Sequence, residues 1–185
     1  FIKGLRVTGK ETIEVVEQVL IEFNQEIVEA LKKQSCNSET INSKINNIIS
    51  VIKENDELGF VGTPTKIDQS IIDKIVNDKK VPVIAPLGLD ESSQTYNINA
   101  DTAAGYIAKK IEARRLIIMS DVEGVLDNNQ KLIPEINSTS IKELIENETI
   151  TEGMIPKINN CLDVASNGVK GVVIIDGRKN HSILF

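Results

Sequence analysis

Three short segments carry side chains that could do chemistry: Tyr96-Asn97-Ile98-Asn99-Ala100-Asp101, Ser120-Asp121-Val122-Glu123-Gly124-Val125-Leu126-Asp127 and Gly153-Met154-Ile155-Pro156-Lys157. Each places polar or charged residues where a buried strand ends or a helix begins, which in α/β proteins is where ligands bind. Lys157 falls at the second position of a helix opened by Pro156, beside the positive end of the helix dipole, where a cation is mildly unfavourable. An anion held jointly by the ammonium and the free backbone N–H groups would account for it, with Gly153 allowing close backbone approach. The plain alternative is a solvated surface lysine. Asp101 opens a helix, either as a functional carboxylate or as a cap. Asn97 and Asn99 alternate with Ile98 and so share a face. Two carboxamides there suit recognition of carboxylate and amide groups, or simple turn chemistry. Ser120 and Asp121 follow an apolar strand, at a sheet edge able to receive a nucleotide, and the chain turns at Gly124. Arg6 precedes a helix, where its guanidinium could grip a carboxylate bidentately or form a surface ion pair.

Alternating helices and strands must position these groups. Thr8 and Glu11 match a capping box, followed by Ile13, Val16, Leu20, Phe23, Ile27 and Leu31 at helical spacing. Residues 35–47 are polar, rich in Asn and Ser, and without period. Residues 48–52 read as a strand and 58–62 as a short strand or turn with permissive glycines. Asp68 caps a helix over 69–78. The apolar run 81–87 reads as a strand covered on both faces, and 116–119 and 171–175 as further buried strands. Between them, a helix over 101–112 turns Ala104, Ile107, Ala108 and Ile111 inward. Ser140 and Glu143 match a capping box before a helix ending near Glu146, and Asn167-Gly168 closes the helix that starts at Pro156. The alternation predicts an α/β fold, a three-layer αβα sandwich with a mostly parallel central sheet.

A length of 185 residues allows one large domain or two joined lobes. With 41% hydrophobic and 26% charged residues, the composition is that of a globular protein. Only 3% of residues are aromatic and none is Trp, so the core must rest on Ile, Val and Leu. A net charge of −6 and a pI near 5.0 argue against a phosphate-backbone binder. Cys36 and Cys161 stand in no metal-like spacing and read as reduced thiols. No apolar run approaches the roughly 18 residues of a membrane span. His181 is the only histidine, and no nucleophile elbow, H-E-x-x-H, P-loop or G-x-G-x-x-G pattern occurs. Phe1 at the start and the apolar Ser182-Ile183-Leu184-Phe185 at the end give the expectation of an internal fragment.

Taken in order, the segments above, together with Gly4-Leu5-Arg6-Val7-Thr8, Leu58-Gly59-Phe60-Val61-Gly62, Pro82-Val83-Ile84-Ala85-Pro86 and Ile174-Ile175-Asp176-Gly177-Arg178, resemble the amino-acid kinase family over nearly the whole chain. Gly-Leu-Arg-Val-Thr narrows the likeness to the acetylglutamate branch. The resemblance implies ATP- and Mg²⁺-dependent phosphorylation of the side-chain carboxylate of N-acetyl-L-glutamate in arginine biosynthesis. It implies that Arg6, Asn97 and Asn99 hold this substrate, that Asp101 orients catalytic lysines, and that Lys157 stabilises the transferring phosphoryl group. Ser120, Asp121, Gly153 and Met154 would lie on the nucleotide side, with no protein metal ligand. Residues 1–113 would form the amino-acid-substrate lobe and 114–185 the nucleotide-binding lobe. The resemblance also implies a homo-oligomer, dimer or hexamer, an arginine feedback inhibitor, a PII nitrogen-signalling partner, and a cytoplasmic or plastid setting. The chemistry agrees with the residue inventory, since a carboxylate nucleophile is ionised at pH 7 and needs no general base. Phosphoryl transfer then asks for positioning and cationic stabilisation.

Three departures from the family pattern stand out. A second catalytic lysine with two glycine-rich loops would precede Phe1, and further strands would follow Phe185, so the fragment alone is expected to be inactive. Asn42-Ser43-Lys44-Ile45-Asn46-Asn47 replaces a stretch resembling Ser-Gly-Lys-Asp-Gly-Asn, losing both glycines, which bears on the local hairpin and on turnover. Two other readings remain: an arginine- or nucleotide-binding regulatory protein without turnover, and a related kinase with another acceptor such as aspartate, carbamate or UMP.

Overall fold

The computed structural model describes residues 6–127, 129, 131–147, 149–150 and 154–184. Gly4, Leu5 and Gly153 of the motifs above lie outside the described residues. The chain divides into two compact units, Phe1–Ala103 and Ala104–Phe185.

The first unit begins with the long helix α1 (Lys10–Lys33), then β1 (Ser38–Ile41), β2 (Ile49–Lys53), β3 (Gly62–Ile67), α2 (Gln69–Asn77), β4 (Val81–Ile84), β5 (Leu87–Leu89) and β6 (Thr95–Asn97). β1 and β4 pair in parallel, with Ser38 opposite Val81 and Ile41 opposite Ile84. A second sheet has the order β3-β2-β5-β6, in which β2 and β5 are parallel and both outer pairings antiparallel. Its core is aliphatic, centred on Ile41, Ile49, Leu58, Leu87 and Ile98.

The apolar run 81–87 is not one strand. β4 ends at Ile84, and β5 begins at Leu87 in the other sheet. The break falls at Pro86, which has no N–H to give a ladder, and Val81 is left 45% exposed. Two strands escape the sequence pattern altogether. β1 sits in the polar segment 35–47, and β3 contains Pro64, tolerated because β3 is an edge strand with a register shift opposite it between Ser50 and Val51.

The capping box at Thr8 does not form. The N-cap of α1 is Gly9, with no side-chain cap, because Thr8 is extended, bridging Gly59 and fully buried. The face of α1 turned inward also differs from the apolar stripe. Ile13, Asn24 and Val28 are buried, whereas Phe23 is 56% exposed. Asp68 does cap α2, accepting from the Ser70 N–H at 3.1 Å.

Helix α3 (Ala100–Lys110) contains the division between the units. The second unit continues with β7 (Arg115–Ser120), α4 (Ser138–Glu146), α5 (Ile155–Ser166), β8 (Gly171–Asp176) and a 3₁₀ turn at Ser182–Leu184. β7 and β8 pair in parallel from Arg115–Gly171 to Ser120–Asp176. Leu116 and Val172 pack with Ala108 of α3 and Val164 of α5. Gly105 brings these two helices together: an added Cβ would meet Val164 Cγ2 at 2.8 Å and Asn160 Oδ1 at 2.7 Å. Neither strand is covered on both faces among the described residues, since Ile117, Met119 and Val173 stay exposed opposite the helices. A second apolar cluster joins Val125, Ile141, Ile150 and Ile158. The cap of α4 is Asn137, three residues before the expected Ser140, and Ser140 supplies the reciprocal half of the capping box. Among the described residues no helix is long and apolar enough to cross a membrane.

Candidate functional site

In the first unit, two stretches distant in sequence converge on Thr8. Its N–H donates to the Leu58 carbonyl at 2.9 Å, and its carbonyl accepts from Phe60 N–H at 2.7 Å. Gly59 makes this approach possible. Its φ is +71°, and a Cβ there would be driven into the Thr8 carbonyl group, 3.1 Å from the carbon. Phe60 in turn accepts from the Asn97 N–H at 2.9 Å, and Val61 bridges Asn97 in parallel. The carboxamide of Asn97 donates to Thr8 Oγ1, and that hydroxyl donates to the Arg6 carbonyl, each at 3.4 Å. Arg6, exposed, and Asn97, half-buried, thus belong to one hydrogen-bonded edge.

Asn99 and Asp101 exchange the roles that their types suggest. Asn99 Oδ1 accepts from the Thr102 N–H at 3.0 Å and from its hydroxyl at 3.3 Å, so Asn99 caps α3. Asp101 lies on the first turn of α3, half-buried, and the cap is not its work.

The segment 42–47 closes without glycine. Asn42 Oδ1 accepts from the Lys44 and Ile45 N–H groups, both at 2.9 Å, and Asn46 takes φ +54°. Asparagine is among the side chains that tolerate that region. Ser43 and Lys44 then meet Glu17 of α1, a residue that sequence reasoning missed. Glu17 Oε1 accepts from Ser43 Oγ at 2.6 Å and Thr95 Oγ1 at 2.7 Å, and lies 3.2 Å from Lys44 Nζ. Burial pushes this carboxyl's pKa up, but the bonds from Ser43, Thr95 and Lys44 outweigh it, so the net shift is downward. The signal was available: Ile13, Glu17, Leu20, Asn24 and Val28 follow helical spacing, with two polar residues inside the inward stripe.

In the second unit, Ser120 ends β7 beside the end of β8, Asp121 follows it, and the Ser120 carbonyl accepts from the Gly177 N–H at 2.8 Å. Asp176 is buried there and grips Arg178 through both carboxylate oxygens, at 2.9 Å from Nε and Nη2, while accepting from its backbone N–H. The Arg178 side chain and backbone donors pull the Asp176 pKa from 3.8 to about 2. Glu123 pairs with Lys179 at 2.6 Å. This edge therefore presents hydroxyl, carboxylate and cationic groups at the carboxyl ends of two parallel strands. In the segment that follows, Gly124 takes φ +141°.

Lys157 stands at the third rather than the second position of α5, half-buried in the first turn. Met154 is the N-cap residue, and its side chain packs in the apolar cluster around Val125 and Ile141, so what it offers a ligand is backbone. No group of three His, Cys, Asp or Glu side chains that could hold a metal occurs among the described residues.

Residues 2–176 match the Amino acid kinase family. The whole chain is 66% identical over 185 residues to an acetylglutamate kinase of Pelagibacter ubique, and 45% identical over 186 residues to one of Campylobacter fetus. It spans 64% and 66% of those proteins' lengths, just under two thirds. The crystal structure of smu.665 from Streptococcus mutans superposes with a TM-score of 0.87 at 32% identity, covering 95% of this chain and 72% of that one.

Proposed function

Because the chain belongs to the amino acid kinase family, with the three-layer α/β architecture and mostly parallel sheet expected from its sequence, we propose that it is the greater part of an acetylglutamate kinase. The reaction is transfer of the γ-phosphoryl group of ATP to the side-chain carboxylate of N-acetyl-L-glutamate. A carboxylate oxygen forms the new bond to phosphorus as the bond to the β–γ bridging oxygen breaks, leaving ADP and an acyl phosphate. The relatives from Pelagibacter and Campylobacter bear that activity in their names. The observation that carries the reading is the hydrogen-bonded edge in which Thr8 Oγ1 joins the Arg6 backbone carbonyl to the Asn97 carboxamide, so that one edge carries two residue types, arginine and asparagine, whose side chains suit an acylated amino acid with two carboxylates.

In this reading residues 1–113 serve the amino-acid substrate and 114–185 the nucleotide. Arg6 and Asn97 hold the acceptor, and Asn99 contributes chiefly by starting α3 beneath Asp101. Lys157 stabilises charge on the transferring phosphoryl group, helped by the backbone N–H groups of the first turn of α5, and Asp101 serves as the orienting carboxylate. Ser120, Asp121, Gly153 and Met154 border the nucleotide. The acceptor is already ionised, so no side chain need remove a proton. Mg²⁺ would be carried mainly by the ATP phosphates, as suits an ion that commonly takes only one or two protein carboxylates.

The test is ATP-dependent acyl-phosphate formation, trapped with hydroxylamine, on the protein as its gene encodes it. Acetylglutamate, glutamate, aspartate, and bicarbonate with ammonia are offered separately. Hydroxamate from acetylglutamate alone is the expected result. Product from another acceptor only, or from none, overturns the reading.

A further inference from the structure

Helix α1 docks through polar groups of two kinds, those that tie it to the β1–β4 sheet and those of Glu17. Asn24 Nδ2 donates to the Val83 carbonyl at 2.8 Å, and Ser38 Oγ donates to the Val28 carbonyl at 3.1 Å, fixing the helix to the β1–β4 sheet. Glu17 bonds to neither strand of that sheet. Its three partners come from the loop 42–47 and from the first residue of β6. The side chain is only 17% exposed, and a charge so placed is a poor device for stability alone, since apolar packing commonly does as well. Its partners nevertheless lie beside the acceptor edge. Thr95 precedes Asn97 by two residues and shares its face of the strand. The loop carrying Lys44 has no glycine, and Asn42 closes it through its side-chain oxygen and through its N–H bond to the Ile45 carbonyl.

We propose that Glu17 is a positioning residue for the carboxylate acceptor, clamping the Lys44 loop and the start of β6 so that Asn97 is presented in fixed register. The proposal rests on the reading that Arg6 and Asn97 bind the acceptor. The hydroxyl bonds from Ser43 and Thr95 form the firmer part of the clamp, because Lys44 is 63% exposed and its ion pair is screened by water.

The experiment compares wild type, E17Q and T95V, each as the full protein, in hydroxylamine-trapped turnover of acetylglutamate, with amide hydrogen exchange run in parallel. E17Q keeps the shape and removes the charge, and is expected to raise the acetylglutamate KM about tenfold while the ATP KM stays within about twofold. T95V removes one donor and is expected to move the same KM in the same direction by less. Exchange in E17Q should quicken at residues 42–47 and 95–97. An active wild type whose E17Q variant keeps its acetylglutamate KM, or changes both KM values equally, overturns the proposal and leaves the kinase reading standing. A folded wild type that makes no hydroxamate overturns the kinase reading, and this proposal with it.

Discussion

Replacing Gly59 by alanine is a local perturbation with a calculable cost and a remote consequence. At φ +71° an alanine meets a backbone penalty of about 1–2 kcal/mol. Its methyl is also directed at the Thr8 carbonyl, whose oxygen accepts from Phe60 N–H at 2.7 Å. Displacing that carbonyl forfeits a hydrogen bond worth about 1 kcal/mol. The total is about 2–3 kcal/mol, or a fall in Tm of roughly 5–10 °C for a chain of this size. Gly168 supplies the control. It too has positive φ, +99°, but nothing lies within 4 Å of an added Cβ, so G168A carries the backbone penalty alone. Thermal and urea unfolding of both variants separates strain from clash, and acceptor kinetics adds a second readout. Because Thr8 bonds Asn97 and Arg6, G59A is expected to raise the acetylglutamate KM and G168A to leave it unchanged. A G59A protein no less stable than G168A, with an unchanged KM, refutes the reasoning.

Further expectations follow from the same geometry. Lys157→Ala should lower kcat by about 100-fold or more with unfolding curves unaltered, measured by coupled ADP release. Arg6→Ala should raise the KM for acetylglutamate far more than that for ATP, which parallel titrations of the two substrates check. Asp176, whose pKa is depressed in the folded protein, contributes stability that is whole above its ordinary 3.8 and is lost as the pH falls towards about 2. Urea midpoints between pH 4.5 and about 2 should therefore fall more steeply in wild type than in D176N.

Much of the architecture was legible because strong patterns met little competition. Asp68 before Gln69, and Pro156 with Asn167-Gly168 around α5, are local signals, and each helix forms where it was read. Thr8 shows how such signals fail. Its pairing with Glu11 satisfies a capping pattern, but long-range bonds to Leu58 and Phe60 hold it extended, and these are invisible in the local sequence. Phe23 fits the apolar spacing and points outward, while Glu17 and Asn24 occupy the inward stripe because each finds partners from distant segments. Tertiary bonding overrode hydropathy there. The strand β1 was hidden for the same reason: Ser38 is buried through its hydroxyl bond to Val28, not through an apolar side chain.

The site residues divide in the same way. Arg6 and Asn97 could be paired from motif order, but Thr8, which links them, reads as a cap until the fold is known. Asn99 and Asp101 both suit a helix start, and only the bond from Thr102 to Asn99 decides which of them caps. The loop at Lys44 appeared compromised by its lost glycines, yet Asn46 adopts the left-handed conformation and Asn42 satisfies two loop amides.

The proposed reaction takes a side-chain carboxylate as acceptor and ATP as donor. Phosphorus NMR of the full protein with ATP, Mg²⁺ and acetylglutamate as sole acceptor tests it without a trapping reagent. A new acyl-phosphate resonance is expected, growing in step with ADP and absent when acetylglutamate is withheld. ATP left intact by a folded, nucleotide-binding protein would contradict it.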